Sequence, residues 1–118
     1  MINKVILVGN VGKDPVLNYS VEGNPNLKFS VATSESYKVG DEWKDKTEWH
    51  NIIIFGKFAE IFKTAKGNTV YIEGKTSTNT YEKDGVQMKS VSVIASTARN
   101  LVSKPTQGEP QDDDDMPL

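Results

Sequence analysis

One histidine, His50, stands two residues beyond Glu48 in the segment TEWHN. At a strand's period of two, both side chains emerge on one face and are placed to share a hydrogen bond. That pair is the nearest approach to an acid–base couple in the chain. There is no cysteine, which excludes a thiol nucleophile, a thiolate zinc site and a disulfide. A single histidine without a second ligand at metal spacing makes no zinc site, and no glycine-rich phosphate loop follows a strand. No catalytic residue, metal or cofactor is therefore expected, and His50 reads as a structural residue packed in a core or a subunit contact.

The aromatic residues carry more information. Tyr37, Trp49, Phe55 and Tyr81 fall in or near the ends of strand-like segments, whereas Trp43 lies in the polar stretch KVGDEWKDK among Lys38, Lys44 and Lys46. Flat rings flanked by cations suit an unpaired polynucleotide. Bases stack on aromatic faces, while lysine attracts phosphates and leaves base edges unread. Phe29, Phe58 and Phe62 sit on apolar stripes and read as core. The neighbours of Trp43 argue for exposure; pattern alone leaves Trp49 and Phe55 open between core and surface.

The elements that must position these rings are mostly strands. Val and Ile together number twenty, against ten for Ala and Leu, a balance suited to pleated sheet. Residues 3–11 (NKVILVGNV) read as strand one, ending near Gly12 and Asp14-Pro15. Residues 18–26 are rich in turn formers. Leu27, Phe29, Val31 and Thr33 then alternate with Lys28, Ser30, Ala32 and Ser34 in a half-buried second strand. Residues 38–46 suggest an exposed hairpin or loop, and residues 47–55 (TEWHNIIIF) a third strand. Between Gly56 and Gly67 the period changes: Phe58, Ile61, Phe62 and Ala65 predict one short amphipathic helix. Strands four and five follow over residues 68–83 and 86–101, joined by the tight turn Asp84-Gly85. Three strands, a helix and two strands is the plan of an all-β, five-stranded OB-fold barrel, which often binds oligonucleotides.

The chain of 118 residues has room for one such domain. Its formal charge of −2 hides two opposed parts. Residues 1–104 carry all 14 basic residues and 11 acids, a surplus of three positive charges, whereas residues 105–118 carry five acids and no base. The expected division is a binding domain over 1–104 and a short linker with an acidic, disordered tail over 105–118. No run approaches the length needed to cross a bilayer, and no signal-peptide pattern opens the chain, so a cytoplasmic protein is expected.

Four segments, NKVILVGNVGKDP, FSVATSESY, TEWHNIIIFGK and VYIEGK, together resemble the bacterial single-stranded DNA-binding protein family, in order through almost all of residues 1–102. The resemblance implies an OB-fold assembled as a homotetramer, with single-stranded DNA wrapped around it during replication, recombination and repair. By position, Tyr37, Trp49, Phe55 and Tyr81 then correspond to base-stacking aromatics, and His50 to a histidine near a subunit interface. The family often has tryptophan where this chain has Tyr37 and Tyr81, which implies a modest loss of affinity. Residues 76–80 (TSTNT) are neutral where many members are basic, which implies weaker and less salt-sensitive binding. Lys4, Lys57 and Lys75 remain as candidate phosphate partners.

The terminal residues Asp112, Asp113, Asp114, Asp115, Met116, Pro117 and Leu118 resemble the family's acidic tip, which docks on replication and repair enzymes. Clustered acids ending in a hydrophobe and a free carboxylate suit capture by basic residues beside an apolar pocket. Leucine stands where the family usually ends in phenylalanine, and the linker is far shorter. The tail is also expected to compete with DNA for the basic domain. Two other classes stay open at this level: a protein-interaction module on the same fold, and a hydrolase built on Glu48 and His50.

Overall fold

The computed structural model describes residues 1–102. The linker and acidic tail, with the tip residues Asp112 to Leu118 and the expected disorder, lie outside the described residues. Six strands and one helix follow in the order β1 (Val5–Val11), β2 (Val16–Tyr19), β3 (Pro25–Val39), β4 (Glu42–Phe55), α1 (Lys57–Ile61), β5 (Thr69–Lys83) and β6 (Val86–Val102).

Five strands close a ring. Hydrogen-bonded neighbours run β1-β5-β6-β4-β3, and β1 returns to β3 through Asn10↔Ala32 and Val11↔Val31. Among the described residues the one parallel pairing, β4 with β6, is equally narrow, at Ile52↔Val93 and Ile53↔Ile94. β2 continues along the edge of β3 where β1 leaves it, pairing Val16↔Lys28 through Tyr19↔Pro25. β1 and β2 thus act as one bent strand interrupted by the turn at Gly12 to Pro15, and the OB-fold plan expected from the sequence holds.

Alternation builds the core. Leu27, Phe29 and Val31 on β3, Ile52 and Ile54 on β4, and Val70 and Ile72 on β5 all point inward and are buried. Small residues sit where strands cross closely. An ideal Cβ on Gly9 would meet the Ala32 carbonyl oxygen at 2.2 Å, and one on Gly74 the Ile94 oxygen at 2.1 Å. Glycine at these two places lets the strands approach closely enough to curl. β5 is also irregular between Glu73 and Gly74, where the register against β6 shifts.

The helix is shorter than the sequence pattern suggests. It covers Lys57–Ile61, after which Phe62 turns to an extended conformation and buries its ring 6.1 Å from Phe29 and 5.8 Å from Phe58, centroid to centroid. Ile61, expected on the apolar stripe, is exposed instead. Packing three phenylalanines at the base of the barrel outweighs continuation of the helical period.

Two long hairpins extend the sheet beyond the core. β3 and β4 pair without interruption from Asn26↔Phe55 to Val39↔Glu42, so the polar stretch 38–46 is the end of a ribbon turned at Gly40-Asp41. β5 and β6 pair out to Lys83↔Val86, where Asp84 and Gly85 both adopt positive φ, 53° and 79°. That is the two-residue turn expected of Asp-Gly. Among the described residues no helix is long and apolar enough to cross a membrane.

Candidate nucleic-acid interface

Strand parity decides which side chains share a face. With Ile52 and Ile54 buried, Ile53 points outward, and every second residue of β4 in both directions points with it: Phe55, Asn51, Trp49, Thr47, Asp45 and Trp43. Their cross-strand partners on β3, among them Lys28, Ser30, Ala32 and Lys38, share that face. Across the parallel seam Ile53 meets Ile94, which pairs with Lys75, and the same parity carries the face along the second hairpin to Tyr81 opposite Met88. One outward surface therefore runs over β3, β4, β6 and β5.

This surface gathers four of the five aromatic residues singled out in the sequence. Trp43 is 70% exposed, Trp49 61%, Phe55 55% and Tyr81 47%, which answers for Trp49 and Phe55 the question of core or surface that pattern left open. Trp43 stands directly across from Lys38. Trp49 lies against the turn after β1, its six-membered ring over Gly12. Phe55 forms one wall of a hollow of about 630 Å³ with Pro25, Asn26 and the turn at Ser20 to Asn24. The side-chain oxygen of Asn26 is buried without a hydrogen-bond partner among the described residues.

Tyr37 is separated from the others. It is also exposed, but pairs with Lys44 on the reverse face of the same ribbon. That reverse face holds Glu35, Glu42 and Glu48 as well, with Lys46 bound to Glu48 at 3.3 Å. On the ring-bearing face of the ribbon the one acid is Asp45, which accepts a hydrogen bond from Ser36 at 2.6 Å. The two sides of one hairpin thus differ in electrostatic character.

Between Trp49 and Phe55 lies a groove of about 380 Å³ that sequence reasoning did not anticipate. Lys13 and Lys28 stand beside it, Ser30, Asn51, Ser90 and Ser92 supply hydroxyl and amide groups, and Ile53 gives an apolar floor. The alternation of Lys28 and Ser30 with buried Leu27 and Phe29 was readable in the sequence. What was missing was the register that sets them beside Asn51 and Ser92.

The candidate phosphate partners differ in availability. Lys57 and Lys75 are exposed, the first just beyond Phe55 and the second on the ring-bearing surface. Lys4 faces Glu73 at 3.6 Å, and the N-terminal segment is tied down by Asn3, whose carboxamide bonds the backbone and hydroxyl of Thr76. Glu73 also accepts from the Tyr71 hydroxyl at 3.1 Å, and that hydrogen bond holds the tyrosine pKa above its ordinary value. His50 is half-buried, with Nε2 2.9 Å from the Thr33 hydroxyl, while Glu48 turns to Lys46. The Glu48–His50 pairing allowed by spacing is therefore replaced by two separate contacts.

Comparison with known proteins bears on the same residues. The model of the family described as "Single-strand binding protein family" matches residues 2–101. Among solved structures, the Plasmodium falciparum SSB in complex with single-stranded DNA is similar at 26% identity and TM-score 0.75, over 83% of this chain and 91% of that one. A deletion mutant of the single-stranded DNA-binding protein from Thermus aquaticus superimposes with TM-score 0.75 at 24% identity; the match covers 85% of this chain and half of that longer one. The small single-stranded DNA-binding protein from Streptomyces coelicolor shares the fold at 23% identity and TM-score 0.68, over 85% and 95% of the two chains.

Proposed function

The chain belongs to the single-strand binding protein family, and on that premise we propose that it binds single-stranded DNA without sequence preference, coating strands exposed in replication, recombination and repair. The observation that carries this reading is the single outward surface on which Trp43, Trp49, Phe55 and Tyr81 are all exposed, with lysines between them. Rings of this kind accept any base face, and stacking supplies about 1–3 kcal/mol per base. Lysines beside them neutralise phosphates, which position a strand without reading it. The strand runs along the groove between Trp49 and Phe55, with Lys13, Lys28, Lys57 and Lys75 at its phosphates and Lys4 in a lesser role because of Glu73. Tyr37 contributes from the reverse of the ribbon, where a strand passing around the hairpin would meet it. The neighbour from Plasmodium falciparum, solved with single-stranded DNA, supports the same ligand class.

The finer parts of the proposal rest on sequence and on exposed surface. A homotetramer is favoured by the outward row Ile6 and Val8 on β1, both about half exposed, which a second copy would cover. His50, tethered to Thr33, serves as a contact at such an interface. Residues 1–104 form the binding domain, and residues 105–118 recruit replication, recombination and repair proteins through the tip Asp112 to Leu118. The protein works by binding, in the cytoplasm, without a cofactor.

Fluorescence titration tests the reading. Poly(dT) at low salt is expected to quench the Trp43 and Trp49 emission, while duplex DNA leaves it unchanged. Equal quenching by both, or none by either, would refute it; the second result would favour the protein-interaction module.

A further inference from the structure

Gly12 occupies the turn between β1 and β2, and its φ lies outside the left-handed region, so the backbone itself does not demand glycine there. Space does. An ideal Cβ at this position would fall 2.2 Å from Cζ3 and 2.8 Å from Cη2 of Trp49, and 3.0 Å from the Ser30 hydroxyl. The indole therefore rests on bare backbone. That backbone is fixed in turn: the Gly12 amide donates to the Ser30 carbonyl at 2.9 Å, and two residues along β3 Ala32 is the cross-strand partner of Trp49. The ring is supported from β3 beside it and from the turn beneath it.

From this arrangement we propose that Gly12 is a positioning residue for Trp49: by leaving room for the outer edge of the indole, it holds the ring in place for the incoming base. A ring already held in place loses less freedom on binding than one that swings. The inference rests on the proposed function and adds to it a residue that need not touch the strand. Gly12 differs in this from Gly9 and Gly74, whose added Cβ atoms would strike backbone carbonyls. At Gly12 the closest atoms belong to the outer end of a side chain, so an added methyl displaces the ring and leaves the barrel in place.

The test uses the full chain carrying Trp43→Phe, so that Trp49 is the sole tryptophan. Gly12→Ala in that parent is expected to red-shift the emission, raise its quenching by acrylamide, and weaken oligothymidine binding about threefold to tenfold, a fraction of one stacking contact. In a Trp49→Ala background the same change is expected to cost nothing. An unchanged spectrum and affinity, or an equal loss with Trp49 absent, overturns the inference. Should Gly12→Ala fail to fold, the double variant Gly12→Ala/Trp49→Ala decides: recovery of a cooperative melt supports a clash with the ring, and continued unfolding overturns it. Failure of the unaltered chain to bind oligothymidine at low salt would overturn the proposed function and this inference together; binding by the unaltered chain with an unaffected Gly12→Ala overturns the inference alone.

Discussion

Salt dependence gives the most direct reading of the proposed phosphate contacts. The four lysines assigned to the phosphates, Lys13, Lys28, Lys57 and Lys75, lie on or beside the ring-bearing surface, and among the described residues the ion pairs are Lys4–Glu73 and Lys46–Glu48, which leave all four free. Each phosphate neutralised on a single strand contributes about −0.7 to the slope of log K against log salt. Four contacts per protomer give a slope of about −2.8, a fall in affinity of roughly fiftyfold between 50 and 200 mM salt. Titrations of tryptophan quenching by an oligothymidine covering one protomer, at a series of sodium chloride concentrations, measure it. Lys75→Ala and Lys28→Ala are each expected to flatten the slope by about 0.7, and Lys4→Ala by less, because Glu73 already faces that ammonium. A slope near zero, or one insensitive to Lys28 and Lys75 but steeply reduced by Lys4→Ala, would refute the assignment of the strand to this surface.

Three further outcomes follow from the geometry. Gly74→Ala forces a methyl against the Ile94 carbonyl oxygen and is expected to cost about 1–3 kcal/mol, lowering the melting temperature by roughly 5–20 °C in a thermal scan. Phe55→Ala is expected to weaken binding of a short oligothymidine about 5- to 150-fold, one stacking contact, and Tyr37→Ala on the reverse of the ribbon distinctly less; comparable losses in matched titrations would contradict the separation of faces. Deleting residues 105–118 is expected to tighten binding at low salt and to make little difference at high salt; affinities unchanged at both would exclude competition by the tail.

Much of this arrangement was legible in the residues themselves. The alternation of Leu27, Phe29 and Val31, the Asp84-Gly85 turn and the exposure of Trp43 required only local rules. β2 was not legible, because all four of its side chains are exposed and its pairing depends on an edge that β3 offers only once the barrel has closed. The helix was overestimated because Phe62 satisfies a helical period in sequence while its ring answers to Phe29 across the core. Positioning of the rings was partly hidden for a related reason. Trp43, Trp49 and Phe55 are separated by even steps, so they share a face if one strand runs unbroken through all three, whereas reading residues 38–46 as an exposed hairpin or loop ahead of a strand over 47–55 leaves Trp43 outside that chain of parity. The separation of Tyr37, and the meeting of Lys28 with Asn51 and Ser92, needed the cross-strand register, which no single segment contains.

The uninterrupted β3–β4 ladder also grades the interface from firm to pliant. Its barrel end is anchored by fully buried Val31, Ile52 and Ile54, whereas from Ser34 and Thr47 outward every residue of the ribbon is exposed among the described residues. Backbone amides there are expected to exchange with solvent far sooner than those at the barrel, since local opening costs least where little apolar area is lost. Phe55 therefore offers a fixed landmark, Trp49 a supported one and Trp43 a ring at the end of a springy finger, able to follow a strand that arrives in many shapes.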